Sequence, residues 1–340
     1  MSERGLRVPR SRGEATRRSL ADAGLLRTDR EILEEEGCLV FPLVTEGVVP
    51  SGWGEVVERA FEPRPPAGPV DYRELIGGSR EERDRLPRAF DVVGDIVLIR
   101  IPPDVTSRAT EIGEALLRFV PGARIVGWDR GVQGSARRRQ VQRIAGAGGW
   151  STIHRENGLP IQVDVERAYF SPRLAREHAR VAAEIRAADR VYDLCCGVGP
   201  FSLHVARDGR AREIVAVDSN PDAIELLRRS LVRLPGGDRV RAIEATIESF
   251  LPGRPPFEAV ILNLPHEGIK YVTSVATAVA PGGRFFYYEI VPRSEFEGRA
   301  EAVVSRLSPT GRWHVADRHV VHPYSPDADL VSFTFARTGA

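Results

Sequence analysis

Residues 193–201 read Asp-Leu-Cys-Cys-Gly-Val-Gly-Pro-Phe, and one helix-length later come Ile214-Val-Ala-Val-Asp218-Ser-Asn220-Pro. An apolar strand, a glycine turn, a helix and a second strand ending in an acid form the opening of a doubly wound sheet, which holds a nucleoside at the carboxyl edge of its strands. The motif commits this part of the chain to an α/β architecture. From about Tyr169 onward helix and strand alternate, with strands expected at 190–194, 213–217, 239–243, 258–262, 283–291, 312–318 and 331–336. The last two follow each other closely, so an antiparallel edge is expected.

The turn has two glycines, Gly197 and Gly199, where a dinucleotide fingerprint has three, and Asp193 closes the strand before it. Glycine lets the backbone approach a ligand closely, and the helix starting at Pro200 is expected to offer amide donors. A carboxylate at Asp193 would repel a pyrophosphate and suits a ligand with an ammonium group. S-adenosylmethionine is therefore the expected cofactor. Asp218 is placed to accept from the ribose hydroxyls, with Asn220 beside it; a cap for the helix at Pro221 is the lesser alternative. Glu244 stands where an acid or a backbone amide would meet the adenine amino group.

The rest of the chain sets limits. With 340 residues, 42% of them hydrophobic, two or three domains are expected. No run approaches the ~20 apolar residues needed to span a bilayer, and the polar start lacks a signal-peptide core, so a cytoplasmic protein is expected. Three cysteines, two of them adjacent in the glycine turn, fit neither a disulfide framework nor a spaced metal site. Basic and acidic residues number 48 and 47, so net charge does not advertise a nucleic-acid partner. Lys270 is the only lysine; arginine supplies every other basic side chain, a bias that a GC-rich genome would also produce.

A helical stretch at 14–24 and a strand from Cys38 mark a small first domain, 1–64, ending at the proline cluster Glu62-Pro-Arg-Pro-Pro-Ala-Gly-Pro. A second, 65–150, carries the strand Asp95-Ile-Val-Leu-Ile-Arg-Ile, a helix at 110–119 and the run Arg137-Arg138-Arg139. Two short strands flanking Asn157-Gly158 lead into a third domain, 151–340. There the strand Ala259-Val-Ile-Leu runs into Asn263-Leu-Pro265-His. Asparagine with a proline two residues on, at that strand end, suits a site that holds a base nitrogen, the proline stiffening the turn and leaving carbonyls toward the ring; a helix cap is the plainer alternative. Arg173 and Glu177 share one helix face, as a simple ion pair would.

Several segments together carry a resemblance: Arg12-Gly-Glu-Ala-Thr-Arg-Arg, Phe90-Asp-Val-Val-Gly-Asp-Ile, Arg137-Arg-Arg-Gln-Val-Gln-Arg-Ile-Ala-Gly, Thr152-Ile-His-Arg-Glu-Asn-Gly and Val163-Asp-Val-Glu-Arg-Ala-Tyr-Phe-Ser-Pro-Arg-Leu, with the glycine turn and Asn263-Leu-Pro. In this order they resemble the archaeal and eukaryotic tRNA (guanine37-N1)-methyltransferases. The resemblance implies a Rossmann-like class I methyltransferase domain behind two smaller α+β domains, the first inspecting the tRNA elbow. It further implies a monomer that takes the anticodon loop and methylates N1 of guanosine 37 without a metal. Glu177 matches the family's general base, Arg137 the arginine that meets charge developing on O6 (with Arg138 and Arg139 beside it in the run), Asn263 the residue orienting the base, and Arg173 one organising the cofactor side. Arginines from Arg137 to Arg143, Arg155 and Arg167 are candidate phosphate contacts, and Tyr169 a candidate stacking ring. Competing readings are an aminocarboxypropyl transferase of the wybutosine pathway, a second methylation at C7 of a tricyclic guanosine, and a binding module without catalysis.

Overall fold

The structure is a computed structural model and describes residues 2–44, 47–64, 69–133 and 138–339. It forms two compact units, Met1–Val70 and Asp71–Ala340. In the first, β1 (Glu3–Pro9), β2 (Leu33–Glu35), β3 (Cys38–Pro42) and β4 (Glu55–Arg59) make an antiparallel sheet in the order β2-β3-β1-β4. Leu20 of helix α1 (Gly13–Asp22) joins Leu6, Val8, Phe41 and Leu43 in its core.

The second unit begins with the short helix α2 (Arg80–Asp84), capped by Ser79 and Glu82. Strands β5 (Phe90–Val93), β6 (Ile96–Ile99), β7 (Ile125–Gln133) and β8 (Arg138–Gly146) then form a four-stranded sheet against helix α3 (Ala109–Phe119). The expected hairpin is present as β9 (Ser151–Glu156) and β10 (Leu159–Asp164), with Asn157 and Gly158 both left-handed at its tip. A break in packing at residue 150 is not seen. Val93, Ile96, Leu98 and Ile125 belong to the same buried cluster as Val191, Ile214 and Ile261.

Seven strands follow, all but the last two separated by helices: α4 (Ala175–Glu184), β11 (Arg190–Leu194), α5 (Pro200–Asp208), β12 (Glu213–Asp218), α6 (Pro221–Leu231), β13 (Val240–Glu244), α7 (Ile247–Phe250), β14 (Phe257–Leu262), α8 (Val272–Thr277), β15 (Val279–Pro292), α9 (Phe296–Leu307), β16 (Trp313–Pro323) and β17 (Ala328–Arg337). Their order is β13-β12-β11-β14-β15-β17-β16, parallel from β13 through β15, with β17 antiparallel to β15 and to β16. Side chains alternate between two cores. Val191, Ile214, Ala216 and Ile261 face one, while Tyr192, Val215, Val217 and Val260 face the other, which is why these strands read as continuous apolar runs. The strand order reverses beside β11, the switch point at which such sheets leave a crevice for ligand. No helix among the described residues is long and apolar enough to cross a membrane.

Candidate active site

β11 ends in a backbone turn built from left-handed residues. Cys195, Gly197 and Gly199 have φ of 61°, 57° and 77°, and together they curl the chain from the strand into α5. The fate of the amides around this turn decides what it can bind. Gly197 N–H donates to Asp218 Oδ2 at 2.7 Å and Ser202 N–H to Asp193 Oδ2 at 3.2 Å, while Gly199 N–H goes to the Cys196 carbonyl. Two carboxylates have taken donors that a phosphate would need. The expectation of free amides at the helix start is corrected for Ser202, and a pyrophosphate is disfavoured by the charge of the two carboxylates.

A cavity opens at the switch point. Its walls include Tyr169, Ser171 and His178 from the segment leading into and along α4, Cys195, Gly197 and Val198 from the turn, Asp218 and Asn220 after β12, and Asn263, Pro265 and His266 after β14. Asp218 keeps its place by accepting from Gly197 N–H and, at 2.9 Å, from Asn220 N–H. Burial raises its pKa, yet the backbone hydrogen bonds favour the carboxylate, whose remaining lone pairs suit ribose hydroxyls. Asn220 lines the cavity, but its side chain is already occupied, accepting from Asp222 N–H and donating to the Arg167 carbonyl. It caps α6 and clasps the segment before α4.

Asp193 stands behind the turn. It is 1% exposed, accepts from both the backbone and the hydroxyl of Ser202, and leaves Oδ1 without a partner. Burial pushes its carboxyl up to about 6. It does not line the cavity. Glu244 pairs in register beside Asp218 but is exposed, also outside the cavity wall. Cys195 and Cys196 are held as thiols, burial pushing the former to about 12 and the latter well above its ordinary value. Packing, not reactivity, is their part.

Across the cavity, Asn263 and Pro265 follow β14. The carbonyls of this turn fold back into the protein: Leu264 accepts from Glu267 and Gly268, and Pro265 from Ile290 N–H at 3.2 Å. This corrects the expectation that they point toward a bound ring. The rim is completed by three residues that sequence reasoning missed, His266, His322 and Tyr324. Tyr324 is 52% exposed, with its hydroxyl 3.4 Å from His266 Nε2 and the two rings edge to face at 5.5 Å. His266 directly follows Asn263-Leu-Pro, a signal that was available; Tyr324 comes from the β16–β17 turn and had none.

Arg173 and Glu177 do not pair with each other. Arg173, half exposed and outside the cavity wall, donates to Asp91 on β5 at 2.8 Å. Glu177, 5% exposed, is enclosed by three donors: Arg180 Nη2 at 2.6 Å, the Tyr288 hydroxyl at 2.7 Å and His319 Nε2 at 3.1 Å. Burial raises its pKa, but the hydrogen bonds from His319 and Arg180 outweigh that and hold it well below the usual carboxylate range. Arg137 lies outside the described residues. Arg139 is buried, paired with Asp129, bonded to the Phe170 carbonyl and stacked 5.6 Å above the Tyr169 ring. Its guanidinium is committed to the protein. Arg167 likewise pairs with Asp222 and Glu225, and Arg143 donates to the Gly148 carbonyl, whereas Arg155 is exposed.

A doubly wound domain with an acid after its second strand, carboxylates on the amides of its glycine turn and an asparagine–proline turn across the cavity defines a class I methyltransferase. The TRM5/TYW2 methyltransferase domain model matches residues 152–310, the TYW2 N-terminal domain 72–149 and the tRNA methyltransferase 5 N-terminal domain 5–47. The tRNA (guanine(37)-N(1))-methyltransferase Trm5b of Pyrococcus abyssi is 31% identical over 97% of this chain and 98% of its own. Its crystal structure superposes with a TM-score of 0.76 at 30% identity, over 99% of both chains. A Trm5 in complex with tRNALeu gives 0.71 at 28% identity over 98% of this chain and 99% of its own, and Methanocaldococcus jannaschii Trm5 in complex with adenosine gives 0.67 at 28%, over 99% and 100%. The chain belongs to the family of Trm5 tRNA (guanine(37)-N(1))-methyltransferases.

Proposed function

We infer that the protein transfers the methyl group of S-adenosylmethionine to N1 of guanosine 37 in tRNA. The observation that carries this is the cavity itself: Asp218 offers a carboxylate to a ribose on one side, and Asn263 stands across from it. When bound, S-adenosylmethionine supplies a methyl group on a cationic sulfur, an electrophile that needs no metal. The side chain of Asn263 orients the guanine edge, and exposed Tyr169 and Tyr324 offer faces on which an extruded base can stack. Glu177, which lies behind the cavity wall among its three donors, takes the N1 proton once those hydrogen bonds give way. Arg137 meets the charge left on O6, and Arg173 orders the α4 side of the site through Asp91. The enzyme works as a cytoplasmic monomer, in three modules: 1–64 at the tRNA elbow, 65–150, and 151–340 at the anticodon loop.

Incubation with methyl-labelled S-adenosylmethionine and transcripts bearing G37 or A37 tests the reading. Label recovered as 1-methylguanosine from the G37 transcript alone is expected. Label that appears only when the cofactor is marked in its carboxypropyl chain would instead establish the aminocarboxypropyl transferase reading.

His319 gives this reading a pH signature. Its Nε2 faces Glu177 and its Nδ1 lies 2.9 Å from Asp317, and the hydrogen bond to Glu177 raises its pKa above the ordinary 6.5. While His319 is charged it suppresses the basicity of Glu177; as it loses its proton with rising pH, Glu177 becomes the stronger base. Turnover is expected to rise through that transition. In His319→Ala the ratio of kcat at pH 8 to that at pH 6 should fall, and an unchanged ratio would remove His319 from the proton path.

A further inference from the structure

The proposed reaction leaves one buried histidine of the cavity wall without a task. His178 on α4 is 1% exposed, and its Nδ1 lies 2.8 Å from Glu156 Oε2 at the end of β9. The same carboxylate oxygen is 3.2 Å from His204 Nε2 on α5. Arg207 approaches His204 Nδ1 at 3.3 Å. A guanidinium can only donate, so His204 carries its proton on Nε2 and gives it to Glu156.

That tautomer bears on a metal reading. Glu156, His178 and His204 place ligand atoms within 4.8 Å of one another. A metal on His204 Nε2 would displace the proton that Arg207 fixes there and leave an imidazolate. The trio is therefore a hydrogen-bond network. Within it Glu156 is ionised, its pKa lowered to about 2 by the bonds from His178 and His204 against the cost of burial, while burial lowers the pKa of His178 and keeps it neutral.

The network has an open end. Glu156 is 2% exposed, its two hydrogen-bonded partners are imidazoles, and its Oε1 has no hydrogen-bond partner; the nearest candidate, His154 Nε2, is 4.0 Å away on a ring whose pKa is lowered by burial. His178 donates from Nδ1, so its Nε2 presents a lone pair, and that atom too is buried without a partner on a residue of the cavity wall. A buried anion with no cation in hydrogen-bond contact, joined through a ring to an empty acceptor, is costly unless something completes it. The completing group must donate a hydrogen bond to Nε2, and a cationic N–H best matches the charge of Glu156 behind the ring.

We propose that His178 Nε2 accepts a hydrogen bond from the α-ammonium group of the methionine portion of S-adenosylmethionine, with Glu156 behind it supplying the opposing charge. His178 is then a positioning residue for the cofactor. No proton changes owner and no covalent bond forms. The assignment rests on the reading of this cavity as the S-adenosylmethionine site.

Calorimetric titration tests it with S-adenosylhomocysteine, with the deamino analogue in which hydrogen replaces the ammonium group, and with 5′-methylthioadenosine, which lacks the amino-acid portion. The variants are His178→Asn, whose amide can keep the bond to Glu156 without presenting the distal acceptor, and His178→Phe, which fills the ring volume. The wild-type protein should prefer S-adenosylhomocysteine to the deamino analogue by about 10- to 100-fold, the range for hydrogen bonds to charged groups. Both variants should lose most of that preference while their affinity for 5′-methylthioadenosine, which lacks the group that His178 contacts, changes less than about threefold. Full retention of the preference in either folded variant overturns the proposal and leaves the cofactor site standing. Failure of the wild-type protein to bind S-adenosylhomocysteine overturns the cofactor reading, and this assignment with it.

Discussion

Glu177→Gln is expected to lower single-turnover methylation of tRNA by about 10²- to 10⁴-fold, the usual contribution of a general base, while affinity for S-adenosylmethionine changes little. The carboxylate belongs to α4, but the groups enclosing it come from β15 and β16 as well, so a substitution there also disturbs packing. Arg180, itself bonded to Ser332 and paired with Glu184, would lose one of its two close anions. Breaking a buried pair from one side costs about 3–5 kcal/mol, and the remaining partners of Arg180 put this case at the lower end. Thermal unfolding should therefore shift downward too. Arg180→Gln separates the two effects, because it breaks the same pair yet leaves the carboxylate able to take a proton. If both variants lose turnover equally, Glu177 only supports the site and the base role fails.

The same carboxylate links stability to pH. Its pKa in the folded protein lies below the unfolded value of ~4.3, so its contribution is present above that pH and is lost as pH falls toward the folded pKa. Urea unfolding of Glu177→Gln should show a weaker loss of stability below about pH 4 than the wild-type protein.

Local order was readable in the sequence where one segment carries the whole signal. The parallel strands could be placed because both of their faces are buried and leave uninterrupted apolar runs, and Asn157-Gly158 specifies a tight hairpin by itself. Pairing across the fold was not readable. Arg173 and Glu177 look like an ion pair four residues apart, yet Asp91, 82 residues away, takes the first, and His319, 142 residues away, closes on the second. The Glu156–His178–His204 network is drawn from a strand and two helices and leaves no spacing to detect. Asp193 could be placed at the end of its strand, but which side of the turn its carboxylate joins depends on Ser202, nine residues later on α5. That residues on either side of 150 share one core was not readable either: β5 and β6 present apolar faces that only the packed structure matches to the Rossmann-like core.

Alanine at the two glycines of the turn should fail in two different ways. Both residues are left-handed, so either substitution costs about 1–2 kcal/mol in backbone strain. At Gly199 a Cβ would also stand 2.4 Å from Leu227 Cδ1 and 2.9 Å from Cδ2, within the packing of α6 against the sheet. Overpacking adds about 1–3 kcal/mol, so Gly199→Ala should lower the unfolding midpoint markedly. At Gly197 the nearest atom is the Tyr169 carbonyl oxygen at 3.6 Å, an ordinary contact, and the glycine lines the cavity. Gly197→Ala should therefore lose little beyond backbone strain. Its methyl group would stand in the cavity wall on the very residue whose N–H holds Asp218, so S-adenosylhomocysteine binding is expected to weaken by at least about tenfold, ~1.4 kcal/mol. Calorimetry and thermal denaturation on the two variants read these losses separately. Should Gly197→Ala bind as tightly as the wild-type protein, the ligand does not lie over the turn, and the placement of the cofactor beside Asp218 fails with it.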